Sequence, residues 1–241
     1  MPVVIAMLAA GGLAAGWPQR AMIAALAVPA EQQEPSCRGC GQPASPLPWP
    51  RLRRPGPCPG CGRRPSLPAL AAGLATALLL AAAAYRVHPW PVLAATAWLI
   101  VLAVPLSVID LRVHRLPNVL TGSAYAGVVL FLAIAATDAD SWARFGRAAL
   151  GGIILAAGFL LLALCSKGQI GIGDCKAAAV TGTLLAWYGW DRLLTGTLAG
   201  FLLASAYGVW LIARHAATRH SQVPFGPFML SGALLIVLVT A

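Results

Sequence analysis

Two aspartates carry the chemistry that this sequence offers. Only seven acidic residues occur among 241, and two of them, Asp110 and Asp174, lie at the edges of long apolar runs. An ionisable side chain at membrane depth is costly and marks function. Two carboxyl groups held together cannot both ionise easily, so they share a proton. One can then take a proton from water while its protonated partner polarises a carbonyl group. Four cysteines form a second constellation. Cys37-x-x-Cys40 and Cys58-x-x-Cys61 are two hooks with 17 residues between them, a spacing that suits a tetrahedral structural Zn2+ site. Gly39 and Gly60 give each hook the backbone freedom of a tight turn. Two disulfides or four unpaired thiols are the alternatives, and disulfides are disfavoured in a cytoplasmic loop. Cys165 and Cys175 lack hook spacing and read as ordinary small residues.

Around the first aspartate the chain reads Asp110-Leu-Arg-Val-His-Arg-Leu-Pro117-Asn118-Val-Leu-Thr121. A helix is expected to end here, and Pro117 suits the first turn of the next one. The plain structural reading pairs Asp110 with Arg112 or Arg115 at the interface; His114 receives no catalytic role. The second site reads Gly171-Ile-Gly173-Asp174-Cys175-Lys176. It places Asp174 at a helix N-terminus, where the dipole favours the ionised form. A simple N-cap is the structural alternative there. No strand precedes these glycines, so a dinucleotide-binding turn is excluded.

The elements that must position both sites are membrane helices. The chain is 59% hydrophobic and 10% charged, against about 25% charged in a soluble domain. A span needs roughly 20 apolar residues, and apolar runs, breakers and charges give eight of them. They cover 2–28 (interrupted near Pro18), 68–85, 91–109, 118–136, 145–165, 176–190, 193–213 and 225–241. The first lacks a basic n-region and reads as a transmembrane helix rather than a cleaved leader. The fold expected is therefore all-α and polytopic, with about eight transmembrane helices and a small zinc-stapled cytoplasmic loop. Its parts are a first segment at 1–30, a tetracysteine loop at 31–67 and a transmembrane domain at 68–241.

Charge orients these spans. Twelve basic residues fall on the side that holds the 31–67 loop and both aspartates, and four (Arg86, Arg144, Arg147 and Arg192) on the other. By the positive-inside rule the first side is cytoplasmic. The formal charge of +10 thus reads as topology and contact with anionic lipid, with no nucleic-acid partner. Two spans separate Asp110 from Asp174, so the two share that side.

In these residues the chain resembles the type IV prepilin peptidases, the leader peptidases of bacterial pilins and type II secretion pseudopilins. That family shows an Asp followed by Pro-Asp/Asn some seven residues on, here Asp110 with Pro117-Asn118. It also shows Gly-x-Gly-Asp-x-Lys, here Gly171 to Lys176 with Gly173 and Asp174 inside, and Pro-Phe-Gly-Pro, here Pro224 to Pro227 with Gly226 at its centre. The resemblance implies an intramembrane aspartyl protease of the bacterial plasma membrane. Asp110 and Asp174 would form its dyad, and prepilins or pseudopilins would be cut after a glycine at the cytoplasmic face. It also implies N-methylation of the new N-terminus from S-adenosylmethionine. The matching segments here are degraded: Pro46-Leu47-Pro48-Trp49 and Leu52-Arg53-Arg54 before Cys58 are partial, Gly11 to Pro18 is faint, and Ala177 replaces the usual Leu. Cleavage with weak or absent methylation is the expectation. The rival from another class is a small ion-coupled transporter with an intramembrane aspartate pair. Such sites lie at the bilayer midplane within repeats, whereas here the carboxylates lie at span ends and no repeat is evident.

Overall fold

A computed structural model of the protein describes residues 2–27, 60–62, 69–138, 140–165, 171–214 and 224–240. These residues form eight α-helices and no strand. In chain order they are α1 (Pro2–Leu26), α2 (Ala69–Arg86), α3 (Trp90–Val113), α4 (Asn118–Asp138), α5 (Trp142–Cys165), α6 (Ile172–Tyr188), α7 (Trp190–Ala213) and α8 (Gly226–Thr240). Five of them, α1, α3, α4, α5 and α7, are long and apolar enough to cross a bilayer. Most of the 31–67 loop lies outside the described residues, and with it Cys37, Cys40 and Cys58. Cys61 sits in the short turn at 60–62 and is exposed.

The helices follow the apolar runs in order, but several bounds shift. Pro18 does not interrupt α1, which continues through it; membrane helices tolerate proline where neighbouring helices satisfy the freed backbone. The third helix runs to Val113 rather than stopping at 109. The sixth begins at Ile172 rather than 176. Both shifts draw an aspartate into helix: Asp110 lies in the last turn of α3 and Asp174 in the first turn of α6.

Small residues let the helices meet at backbone distance. A methyl group at Gly12 would lie 2.6 Å from Ala77 Cα, and one at Gly232 would lie 2.5 Å from the Gly200 nitrogen. These contacts lock α1 to α2 and α7 to α8. Gln19, almost fully buried, ties three helices together. Its Nε2 donates to Thr76 Oγ1 at 2.9 Å and to the Val101 carbonyl at 2.8 Å. A buried amide in an apolar bundle must be satisfied in this way, because leaving it unpaired costs several kcal/mol, on the order of 2–7.

The two short helices α6 and α8 are fastened at their C-terminal ends. Arg147 of α5 donates from Nε to the Ala186 carbonyl at 2.8 Å and from Nη2 to the Trp187 carbonyl at 2.7 Å. Arg86, closing α2, donates to the Val239 carbonyl at 2.6 Å. Orphan carbonyls at helix ends need such partners, and cations favour that end of the dipole. With their C-termini held, α6 and α8 both point their N-termini toward the Asp110 end of α3.

Candidate active site

Three helix ends and one turn converge. Asp110 arrives on the last turn of α3, Asp174 on the first turn of α6, and Gly226 opens α8. Helices α3, α4, α6 and α8 pack against one another around this point. His114 ends α3 in the left-handed conformation, φ 52° and ψ 40°, and its N–H donates to the Asp110 carbonyl at 2.8 Å. This cap turns the chain, so that Leu116 packs back toward the site while His114 and Arg115 stay exposed.

Asp110 is 4% exposed, with one oxygen, Oδ2, buried and unpaired among the described residues. The Gly226 N–H donates to its carboxylate. That donor is one of the free N–H groups at the start of α8, where the positive end of the dipole also lies. A methyl group at 226 would lie 2.8 Å from Asp110 Oδ2, so any larger residue there would have to displace the carboxylate. The Pro224-to-Pro227 motif thus acts as a backbone cradle for the first aspartate.

Asp174 is held differently. Gly171 takes the N-cap position in extended conformation, φ −74° and ψ 143°. The Asp174 N–H donates to the Gly171 carbonyl at 3.0 Å, and the Gly171 N–H donates back to the Asp174 carboxylate. This is one half of a capping box, with the acid three residues into the helix and a glycine, which has no side chain to reciprocate, at the cap. Asp174 lies near enough to Asp110 for their charges to interact.

The remaining motif residues fall around the pair. Lys176, exposed on α6, donates from Nζ to Asn118 Oδ1 at the start of α4, which joins the second and first motifs directly. Pro117 precedes Asn118 and its carbonyl accepts the Thr121 N–H at 3.0 Å. Gly173 lets Leu116 approach: a methyl group there would lie 3.3 Å from Leu116 Cβ. The same leucine reaches Gly226, whose added methyl would lie 3.3 Å from Leu116 Cδ1. Leu116 therefore wedges between the N-termini of α6 and α8 and is 7% exposed. It was not singled out from the sequence. Its only local signal is an apolar residue between Arg115 and Pro117, in a turn that is otherwise polar.

Among the described residues no three His, Cys, Asp or Glu side chains gather as metal ligands, and three of the four hook cysteines lie outside them.

An all-helical, multi-pass membrane protein with two convergent carboxyl groups is the class that this fold and site define. Residues 93–213 match the type IV leader peptidase family, a stretch that includes both aspartates but stops short of α8. A prepilin leader peptidase/N-methyltransferase of Aeromonas hydrophila is 31% identical over 210 residues, covering 80% of this chain and 67% of the relative. One of the same name from Aeromonas salmonicida (strain A449) is 31% identical over 185 residues, 72% of this chain and 59% of the relative. Another from Bacillus subtilis (strain 168) is 31% identical over 217 residues, 85% of this chain and 79% of the relative. No solved structure matches. The chain belongs to the type IV leader peptidase family.

Proposed function

We propose that this protein cleaves the basic leader from prepilins or pseudopilins, using Asp110 and Asp174 as a shared-proton dyad. The observation that carries the reading is the convergence of the two carboxyl groups, each cradled by a glycine N–H at a helix start. One carboxylate removes a proton from water as it attacks the scissile carbonyl. The protonated partner donates a hydrogen bond to the carbonyl oxygen, then passes its proton to the leaving nitrogen. The apparent pKa values of such a reaction belong to the pair, so activity should follow a bell-shaped pH profile. Protonation of both groups removes the base on the acid side, and ionisation of both removes the donor on the alkaline side.

All eight helices are read as spanning the bacterial plasma membrane, with the dyad toward the cytoplasm. The twelve-to-four distribution of basic residues supports that orientation. The four hook cysteines are read as ligands of one structural Zn2+, a donor set that suits that ion. It would organise the 31–67 loop as a unit distinct from 68–241. The chain spans under two thirds of one Aeromonas relative and more of the others, so the methyl transfer in their names does not follow from the match. The segments that would hold S-adenosylmethionine fall mostly outside the described residues, and no step of the cleavage above passes through it.

The test is co-expression with a prepilin and immunoblotting for the mature product. Asp110→Asn and Asp174→Asn should each lower cleavage by about 10²–10⁴-fold or more, the scale of a lost acid–base group. The double variant should be no worse than either single one, because the two act as a unit. Efficient cleavage by a well-inserted single variant would refute the assignment.

A further inference from the structure

Phe159 of α5, Phe201 of α7 and Phe225, the residue before α8, form a three-ring cluster. Their centroids are 5.9 Å apart for Phe159–Phe201, 5.4 Å for Phe159–Phe225 and 4.7 Å for Phe201–Phe225. The cluster touches the site through the chain itself, because Phe225 is bonded to Gly226, whose N–H holds Asp110. Helix α5 packs mainly against α4 and α6, and α7 against α6 and α8, so the rings bridge the flank between α5 and α7.

We propose that this flank is the port through which the substrate's apolar helix enters from the bilayer, with the three phenylalanines as its docking wall. The inference rests on the cleavage reading above and names the route to that site. Continuity with the site supports it, since Phe225 directly precedes Gly226 at the start of α8. Charge supports it too. Residues 148–165 of α5 and 193–213 of α7 contain no charged side chain, so this approach passes through hydrocarbon. An apolar helix can take it, and a free hydrophilic peptide cannot. Exposure supplies the gradient of the port: Phe201 is 40% exposed at the outer edge, and Phe159 is 3% exposed within. Aromatic faces suit this task because they bury a large area against an incoming apolar helix at little conformational cost.

The test uses the full chain in phospholipid vesicles, with two synthetic substrates. One carries a basic leader, a glycine and a complete apolar helix; the other stops a few residues after the glycine. Phe201→Ala should lower cleavage of the long substrate by about 10-fold or more and leave the short one within about 2-fold, since each 1.4 kcal/mol of lost docking is tenfold. The milder Phe201→Leu should fall between. Equal losses on both substrates would overturn the proposal, because the cluster would then act only on dyad geometry. A second measurement needs no turnover. Phe201→p-benzoylphenylalanine in an Asp110→Asn background should form light-dependent adducts with the long substrate's apolar helix. The same probe replacing Val119, 71% exposed on α4, should give none. Adducts with lipid alone at 201, or substrate adducts at 119 and not at 201, would also overturn it. Efficient cleavage by Asp110→Asn would instead count against the dyad reading, not against the port.

Discussion

Gly226 shows how one residue can be decided by another more than a hundred positions away. Nothing local requires a glycine to open α8; the requirement comes from Asp110, whose Oδ2 would meet an added methyl at 2.8 Å. Gly226→Ala should therefore insert normally yet lose about 10²-fold in cleavage rate, the penalty of displacing a reacting group by about 1 Å. A quantitative blot of membrane-inserted enzyme and mature pilin checks both halves. Leu116 makes the complementary case. Leu116→Ala leaves a hole between Gly173 and Gly226 and should cost about 2–5 kcal/mol of stability. Leu116→Met keeps the volume, should cost under about 1.5 kcal/mol, and should restore turnover. Thermal unfolding with parallel kcat and KM separates the two. The aspartates were legible because acidic residues are rare in this chain, and Gly171, Gly173 and Gly226 through the motifs in which they sit. Leu116 was not, because a leucine in an apolar chain carries no such signal and its two glycine contacts come from distant helices.

At the scale of the element, the order of the helices could be read from apolar runs and breakers, and their ends could not. An apolar window stops at the first charged residue, which placed the end of α3 just before Asp110. The backbone continues to His114, where a left-handed residue ends it. The start of α6 was missed for a related reason: the glycines at 171 and 173 resemble loop, yet Gly171 serves as the N-cap and the Asp174 carboxylate reaches back to it. Arginines at the opposite end matter equally for aiming these helices. Arg147→Ala removes two charged-donor hydrogen bonds from the α6 C-terminus, each on the order of 1.5–3 kcal/mol when lost. The variant should melt at a clearly lower temperature in detergent. Arg147→Lys should recover only part of this, since an ammonium cannot reproduce the forked contact to two carbonyls. Gly232→Ala tests the other fastening. Its methyl would press on the Gly200 backbone, and overpacking of about 1–3 kcal/mol should follow, visible in the same melt.

Across the whole molecule, the chemistry divides into two parts of unequal legibility. Among the described residues, the proposed cleavage site draws on α3, the turn at 114–117 and the starts of α4, α6 and α8. The tetracysteine loop was legible only as a ligand pattern, because thiolate spacing is a local property, whereas its packing depends on contacts that no spacing encodes. The division predicts separable behaviour. Protein purified without chelator should hold about one zinc per chain, measured by metal analysis, and Cys58→Ser should lower that content. Cleavage of a short substrate should change little in that variant, since neither carboxylate nor its glycine donor is touched. Methyl transfer is the harder half. The loop's acidic groups are Glu31 and Glu34 alone, enough to orient an amine but offering no glycine-rich strand–helix turn for a nucleotide-like cofactor. Efficient cleavage with weak or absent methylation should therefore be seen when the mature N-terminus is weighed by mass spectrometry. A product uniformly heavier by one methyl group, and no longer so once S-adenosylmethionine is withheld from the purified reaction, would show that the worn segments at 46–58 still bind the cofactor. The dyad would then be one of two working sites.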